Sequence, residues 1–426
     1  MGNYRKTIDC PYDIIIMFVP WQGMASLGGL YRQGGICMYS LLLAVIYLAF
    51  ISLGLPDSLL GAAWPAMRQM FGVPISNMGI VSMIISGGTI CSSLMSERLT
   101  RKLSTQIVTL ISVFLTAAAL MGFSSATEFW MLCLWAVPYG LGAGAIDAAL
   151  NNYVALHYTS RHMSWLHCFW GVGTIVSPYV MSYALSQGSW PMGYKIVSYI
   201  QFGIVLILAL ALPLWKVNQK PSDAETASKP ALGVVGALKL RGAPSLLMGF
   251  FAYCAAESTT MLWTSSYLVN TRGVSEELAA AFASLFFIGI TVGRFLSGFI
   301  SDRLGDRKMI RLGTCITLAG VVLIALPLGN DLPTLAGFIV IGLGCAPIYP
   351  CIIHSTPSNF GAENAQAIIG IQMASAYTGS TFMPPLFGLL AGKIGLNILP
   401  LFIGFFFVLM IFMIERTYNT VSKKPA

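Results

Sequence analysis

Residues 139–171 read YGLGAGAIDAALNNYVALHYTSRHMSWLHCFWG. A run of small residues carries one carboxylate, Asp147, and then two amides, Asn151 and Asn152. A short turn with Arg161 and His162 follows, and a second apolar run opens with His167 inside it. Both flanks are too apolar for a water-soluble protein. A carboxylate at the centre of such a run costs ~2.5–3.5 kcal/mol or more to insert, so it is kept only where it does something.

Working outward, the composition agrees. The chain has 426 residues, 56% hydrophobic and 9% charged, and a mean hydropathy of +0.75. Soluble domains average about 25% charged residues. An all-α polytopic membrane protein is therefore expected. The net charge of +8 raises nucleic acid as a partner, but its distribution follows membrane topology instead. The nine Cys have no CxxC or paired spacing, so they argue neither for a metal site nor for a disulfide framework and read as small packing residues.

Twelve apolar runs are expected, near 38–67, 76–96, 104–125, 129–157, 163–186, 195–215, 244–270, 277–301, 309–329, 333–355, 362–391 and 396–414. Each reaches the ~20 residues that cross hydrocarbon, where the backbone must be helical. An even number of spans puts both termini on one side. That side collects 19 Lys and Arg, the other 4 (Arg68, Lys195, Arg272 and Lys393), and Arg294 lies within a span. The positive-inside rule then predicts cytoplasmic termini in a cell membrane. Residues 1–37 are expected to be a loose cytoplasmic tail or to precede the natural start. Residues 216–243 read as a flexible linker between bundles 38–215 and 244–416, and 417–426 as a tail.

The halves repeat. Ser96-Glu97-Arg98-Leu99 matches Ser301-Asp302-Arg303-Leu304, Gly140-Leu141-Gly142 matches Gly342-Leu343-Gly344, and Thr174/Pro178 align with Thr381/Pro385. The spacings, 205, 202 and 207 residues, agree within loop variation. The register sets Asp147 opposite Tyr349, and Trp165 and Trp170 opposite Gln372 and Tyr377. Parallel six-helix repeats of this kind place a substrate site between them near the midplane.

At the turns the chain resembles the major facilitator superfamily of transporters. Gly298 through Asp302-Arg303-Leu304-Gly305-Asp306-Arg307-Lys308 looks like its loop signature G-x-x-x-D-R-x-G-R-[RK], and Ser92 to Lys102 like a degraded copy. The resemblance implies a gate clip from Glu97, Arg98, Arg101, Asp302, Arg303 and Arg307; plain positive-inside anchoring is the alternative. A narrower likeness is to the bacterial L-fucose–proton symporter family. It rests on Pro56-Asp57-Ser58-Leu59-Leu60 and on Gly140 to Asn152, where Asp147 stands for that family's Glu and Asn152 for its Pro. It implies proton coupling and sugar binding at Asp57 and Asp147, with Asn151 as a neighbouring contact.

The residues themselves support a shared site. Asp147 and Asn151 are i,i+4 on one helix face, and Gly140 and Gly144 on that stripe allow close helix approach. An interhelical hydrogen-bond staple is the plainer reading. Asp57 precedes Trp64, and Glu257 precedes Trp263; acid plus indole suits a sugar's hydroxyls and C–H face. Asp57 could equally be a helix cap, and Glu257 an ion-pair partner of Arg294. His167 could relay protons or bond a hydroxyl, or simply pack. Arg294, Tyr349, Gln372 and Tyr377 complete the expected contacts, while His157 and His162 are expected to be solvated.

No nucleotide loop, HExxH or GxSxG is present, so no enzyme activity and no cofactor are expected. The proton is the expected coupling ion, although Asp57, Asp147 and Glu257 with backbone carbonyls also suit Na⁺. The expectation is a monomeric secondary transporter taking up a small neutral polar solute, a sugar above all, with the lipid bilayer as its other partner and no nucleic acid. A proton-driven exporter of amphiphiles and a non-transporting receptor are the competing readings.

Overall fold

The computed structural model describes residues 34–74, 77–187, 189–217, 232–274, 276–326 and 332–422. The expected tail before residue 34 and the linker stretch 218–231 lie outside the described residues. Every regular element described is a helix.

Among the described residues, eight helices are long and apolar enough to cross a membrane, nine with the bent pair Gly233–Lys239 and Ala243–Arg272. Asn77–Ser124 is two crossings in one, because Ser104 breaks it with φ 65. Glu276–Leu304 and Ala362–Ile394 also exceed the length a crossing needs. Among the described residues the count reaches the expected twelve. Several expected boundaries shift: the sixth span begins at Trp190, and the tenth is broken into Leu332–Cys345, Ile348–His354 and Thr356–Phe360. The first span is broken at Ser58, between Gly34–Asp57 and Leu59–Phe71. The last runs on to Val421, beyond the expected end of its apolar run.

The described C-terminal end of the expected linker is helical rather than loose. Residues Gly233–Lys239 form a helix bent 99° from the helix that follows. The Glu97 carboxylate accepts from the backbone N–H groups of Leu232 and Gly233, both at 2.9 Å. Ala237 of this helix is buried.

Within the first half, Phe129–His157 packs along Asn77–Ser124 and Ser160–Ser186 along Gly34–Asp57. The halves meet where Ala362–Ile394 lies on Asn77–Ser124 and Glu276–Leu304 lies on Ser160–Ser186. These two contacts are equivalent under the repeat, fifth helix against second in each direction.

Small residues set the spacing. A Cβ at Gly144 would stand 2.2 Å from the Thr89 carbonyl oxygen. One at Gly54 would stand 2.1 Å from the Trp170 carbonyl oxygen. His157 and His162 correct the expectation of solvated rings. His157 stacks on Tyr153 at 4.2 Å, and His162 Nδ1 pairs with the Tyr47 hydroxyl at 2.9 Å.

Gly144→Val should lower stability by roughly 1–3 kcal/mol, the usual cost of overpacking. Gly203→Val, where a Cβ meets nothing within 4 Å, should leave the thermal midpoint of the detergent-purified protein unchanged.

Candidate functional site

A cavity of about 470 Å³ lies between the halves and is lined by both. That volume falls within the ~300–1,000 Å³ typical of small-molecule sites. Three acids reach it, Asp57, Asp147 and Glu257, each held differently.

Asp57 ends the first helix segment, where Pro56 and the break at Ser58 turn the chain. Ser58 Oγ donates to the Thr174 carbonyl at 2.7 Å, tying the break to the fifth helix. Gly54 and Gly173 let these helices nearly touch, which brings the Trp170 indole beside Asp57. Trp170 Nε1 donates to Asp57 Oδ2 at 2.9 Å, and the Tyr139 hydroxyl donates to Oδ1 at 3.1 Å. Asp57 remains exposed to the cavity. It is not a helix cap.

Asp147 is only 4% exposed. Asn151 Nδ2 donates to its Oδ1 at 2.7 Å, one helical turn away. The Tyr377 hydroxyl, from the other half, donates to Oδ2 at 2.7 Å. Asn151 Oδ1 faces His167 Nε2 at 3.1 Å. An amide oxygen only accepts, so Nε2 carries the hydrogen. The His167 ring lies edge-on to Tyr349 at 4.8 Å. Two expected contacts from the first half, Asn151 and His167, and two from the second, Tyr349 and Tyr377, thus surround one carboxyl.

Glu257 accepts from the Tyr253 hydroxyl at 3.0 Å and pairs with Arg294 at 3.4 Å. The plainer reading of this acid is therefore realised in geometry. Arg294 also lies 5.5 Å from the Trp170 ring, a cation–π contact across the halves. One indole links Asp57 to the Glu257–Arg294 pair.

Three expected contacts are corrected. Trp64 is buried against Phe129 in the first-half core. Trp263 donates from Nε1 to the Pro384 carbonyl at 2.9 Å and packs on Phe387. Gln372 is buried, and its Oε1 accepts from Thr356 at 2.9 Å. None of the three lines the cavity. The spacing from acid to indole put each Trp about two turns along its own helix, but did not fix its direction. Trp170 and Tyr139, not nominated by the sequence, take the places next to Asp57.

The gate residues divide. Asp302 crosses to the other half, pairing with Arg161 at 3.2 Å and accepting from the Arg161 backbone N–H and from Thr159. Arg307 instead pairs with Glu415 of its own half. Glu97 binds Arg101 at 3.1 Å and the linker helix. Arg98 and Arg303 are exposed, as membrane-side anchors would be. Further contacts between halves on this face include Ser160 to Asp306 and Gln366 to Ser96. Among the described residues, the hydrogen bonds between halves run from the Tyr377–Asp147 level to this face. The cavity is sealed on the face that carries the linker.

Known proteins place this architecture. The profile of the Major Facilitator Superfamily matches residues 46–284 and 245–425. The chain belongs to the Major Facilitator Superfamily. It is a multi-pass membrane protein of a family of transporters. It is 23% identical to "Bypass of stop codon protein 6" of Saccharomyces cerevisiae, over 91% of this chain and 84% of the relative. It is 22% identical to the "Glucose/mannose transporter GlcP" of Bacillus subtilis, over 80% and 86%. Among solved structures, the transporter FucP in the outward conformation superposes with a TM-score of 0.74 at 16% identity, covering 89% of this chain and 99% of that one. The proton:xylose symporter XylE also gives 0.74, at 10% identity, covering 89% and 95%. These likenesses show the fold.

Removing one partner of a buried ion pair costs about 3–5 kcal/mol, and replacing both with apolar groups costs far less. Arg294→Met should therefore lower the thermal midpoint sharply. The double variant with Glu257→Met should recover most of the loss in the same melts.

Proposed function

We propose that this chain is a proton-coupled secondary transporter that takes up a neutral sugar or similar polyol by alternating access. The observation that carries this reading is Asp147: a buried carboxyl, held from both halves, beneath the solvent-exposed Asp57 in one cavity. Two acids at different depths suit proton coupling. An acid opened to water ionises, and one sealed from water keeps its proton.

The chemistry of each residue follows. Asp147 carries the proton. Asn151 and His167 orient its carboxyl and offer hydrogen-bonding groups to a hydroxyl-rich ligand. Tyr377 reports the state of Asp147 to the second half, because its hydroxyl donates more strongly to an ionised carboxylate than to a neutral acid. Asp57, fixed by Trp170 and Tyr139, accepts from sugar hydroxyls, and the Trp170 face packs on C–H groups. Arg294 is neutralised by Glu257 and covered by Trp170. The cavity therefore favours a neutral ligand over an anion.

The Lys and Arg bias supports a cytoplasmic linker face. The sealed face is then the inner one, in the cell membrane, and the cavity serves uptake from outside. The site is complete within one chain, so a monomer suffices. The similar proteins include a glucose/mannose transporter and a proton:xylose symporter, which supports the substrate class.

Proteoliposomes with an inward proton gradient should accumulate a labelled hexose. Asp147→Asn should abolish accumulation above equilibrium while retaining sugar counterflow. Tyr377→Phe removes a hydrogen bond to a charged group, worth ~1.5–3 kcal/mol, and should slow uptake roughly 10–100-fold. Uptake of hydrophobic cations with no hexose flux would overturn the reading.

A further inference from the structure

The sealed face holds a histidine outside the central site. His354 ends the helix Ile348–His354. Its Nδ1 lies 2.7 Å from Asp306 Oδ2, and its Nε2 lies 3.2 Å from the Tyr158 carbonyl oxygen. Both neighbours are acceptors, since a carboxylate and a carbonyl offer no hydrogen. A ring that satisfies both carries two N–H groups and a positive charge. Tyr158 is also the C-terminal cap of Phe129–His157, where the helix dipole favours a cation.

The contact joins the two halves. Tyr158 belongs to the first, His354 and Asp306 to the second. The other oxygen of Asp306 accepts from Ser160 of the first half at 2.7 Å. Asp306 occupies the position where the superfamily loop signature carries Arg, so this arrangement is a property of this chain.

We propose that His354 is a pH-sensitive latch on the linker-side gate, closed when its imidazole is protonated and released when it is not. A neutral imidazole keeps one hydrogen. If the carboxylate retains it, the bare Nε2 lone pair faces the Tyr158 carbonyl and repels it. Raising the pH on this face therefore loosens the contact between halves, and lowering it locks the gate. Given the uptake reading above, on which this physiological sense rests, an acid cytoplasm would hold a proton importer shut.

The surrounding ionisable groups are otherwise engaged. Asp302 pairs with Arg161, and Glu415 with Arg307 and Arg311. The Cys351 thiol lies 3.7 Å from Ser160 Oγ. Tyr418, from the last helix, lies under the Arg307 guanidinium at 4.9 Å. His157 and His162 bond within the first half.

Single-molecule energy transfer tests the latch without any substrate. Dyes on unnatural residues replacing Lys102 and Arg416, both exposed, report the separation of the halves on this face. The closed population should fall as pH rises through the range of roughly 5–8 in which histidine titrates. H354Q should show a pH-independent, more open distribution, and Asp306→Asn should also lose the pH response. Repeating the series in an Asp147→Asn background removes any contribution from the cavity acid. A pH response identical in wild type and H354Q, or no response in wild type, overturns the proposal. Should H354Q fail to fold, Asp306→Asn decides on the same readout. Neither result depends on sugar flux, so the uptake reading stands or falls separately.

Discussion

The constraint on which the rest depends is the cost of keeping Asp147 inside an apolar bundle. Its carboxyl is 4% exposed and is made tolerable by two short hydrogen bonds, one from its own helix and one from the opposite half. The second makes the carboxyl part of the interface. Whatever changes its charge changes the strength of a contact between the halves. Under the proposed proton coupling, that contact links the proton to a rigid-body movement without a long-range signal.

Around this link the two halves are alike in frame and unlike in chemistry. The repeat pairs Trp170 with Tyr377, and both donate to a cavity carboxylate. Trp170 serves an acid of its own half, and Tyr377 an acid of the other. The repeat also pairs Asp147 with Tyr349, which carries no charge at neutral pH. The second half keeps one cavity acid, Glu257, and neutralises it with Arg294. The proposed coupling acids therefore lie in the first half, while the second supplies a hydroxyl donor and a fixed ion pair. On the linker face the asymmetry is reversed. Asp302 and Asp306 of the second half reach across, whereas Glu97 turns to the linker helix.

Much of this was legible in the sequence. Long apolar runs dictate helices in hydrocarbon, so the spans and the repeat could be read directly. The acids stood out because charge in such runs is rare. The side-chain partners were less legible. Trp64 and Trp263 were nominated by spacing, yet spacing does not say which way a helix turns after a break such as that at Ser58. Tyr139 and Trp170 reach Asp57 only because Gly54 and Gly173 bring two helices together, a tertiary fact. The alignment of Trp170 with Tyr377 is the sequence signal that could have found it. His354 needed the fold as well, because Asp306 and Tyr158 lie 48 and 196 residues away in sequence.

The central claim is that Asp147 holds the transported proton, and infrared difference spectroscopy reads it directly. Spectra of the purified protein with and without hexose, near neutral pH, should show the carbonyl band of a neutral carboxylic acid that shifts when the ligand binds. That band should vanish in Asp147→Asn and persist in Asp57→Asn. A band that survives in Asp147→Asn would place the proton elsewhere and contradict the account.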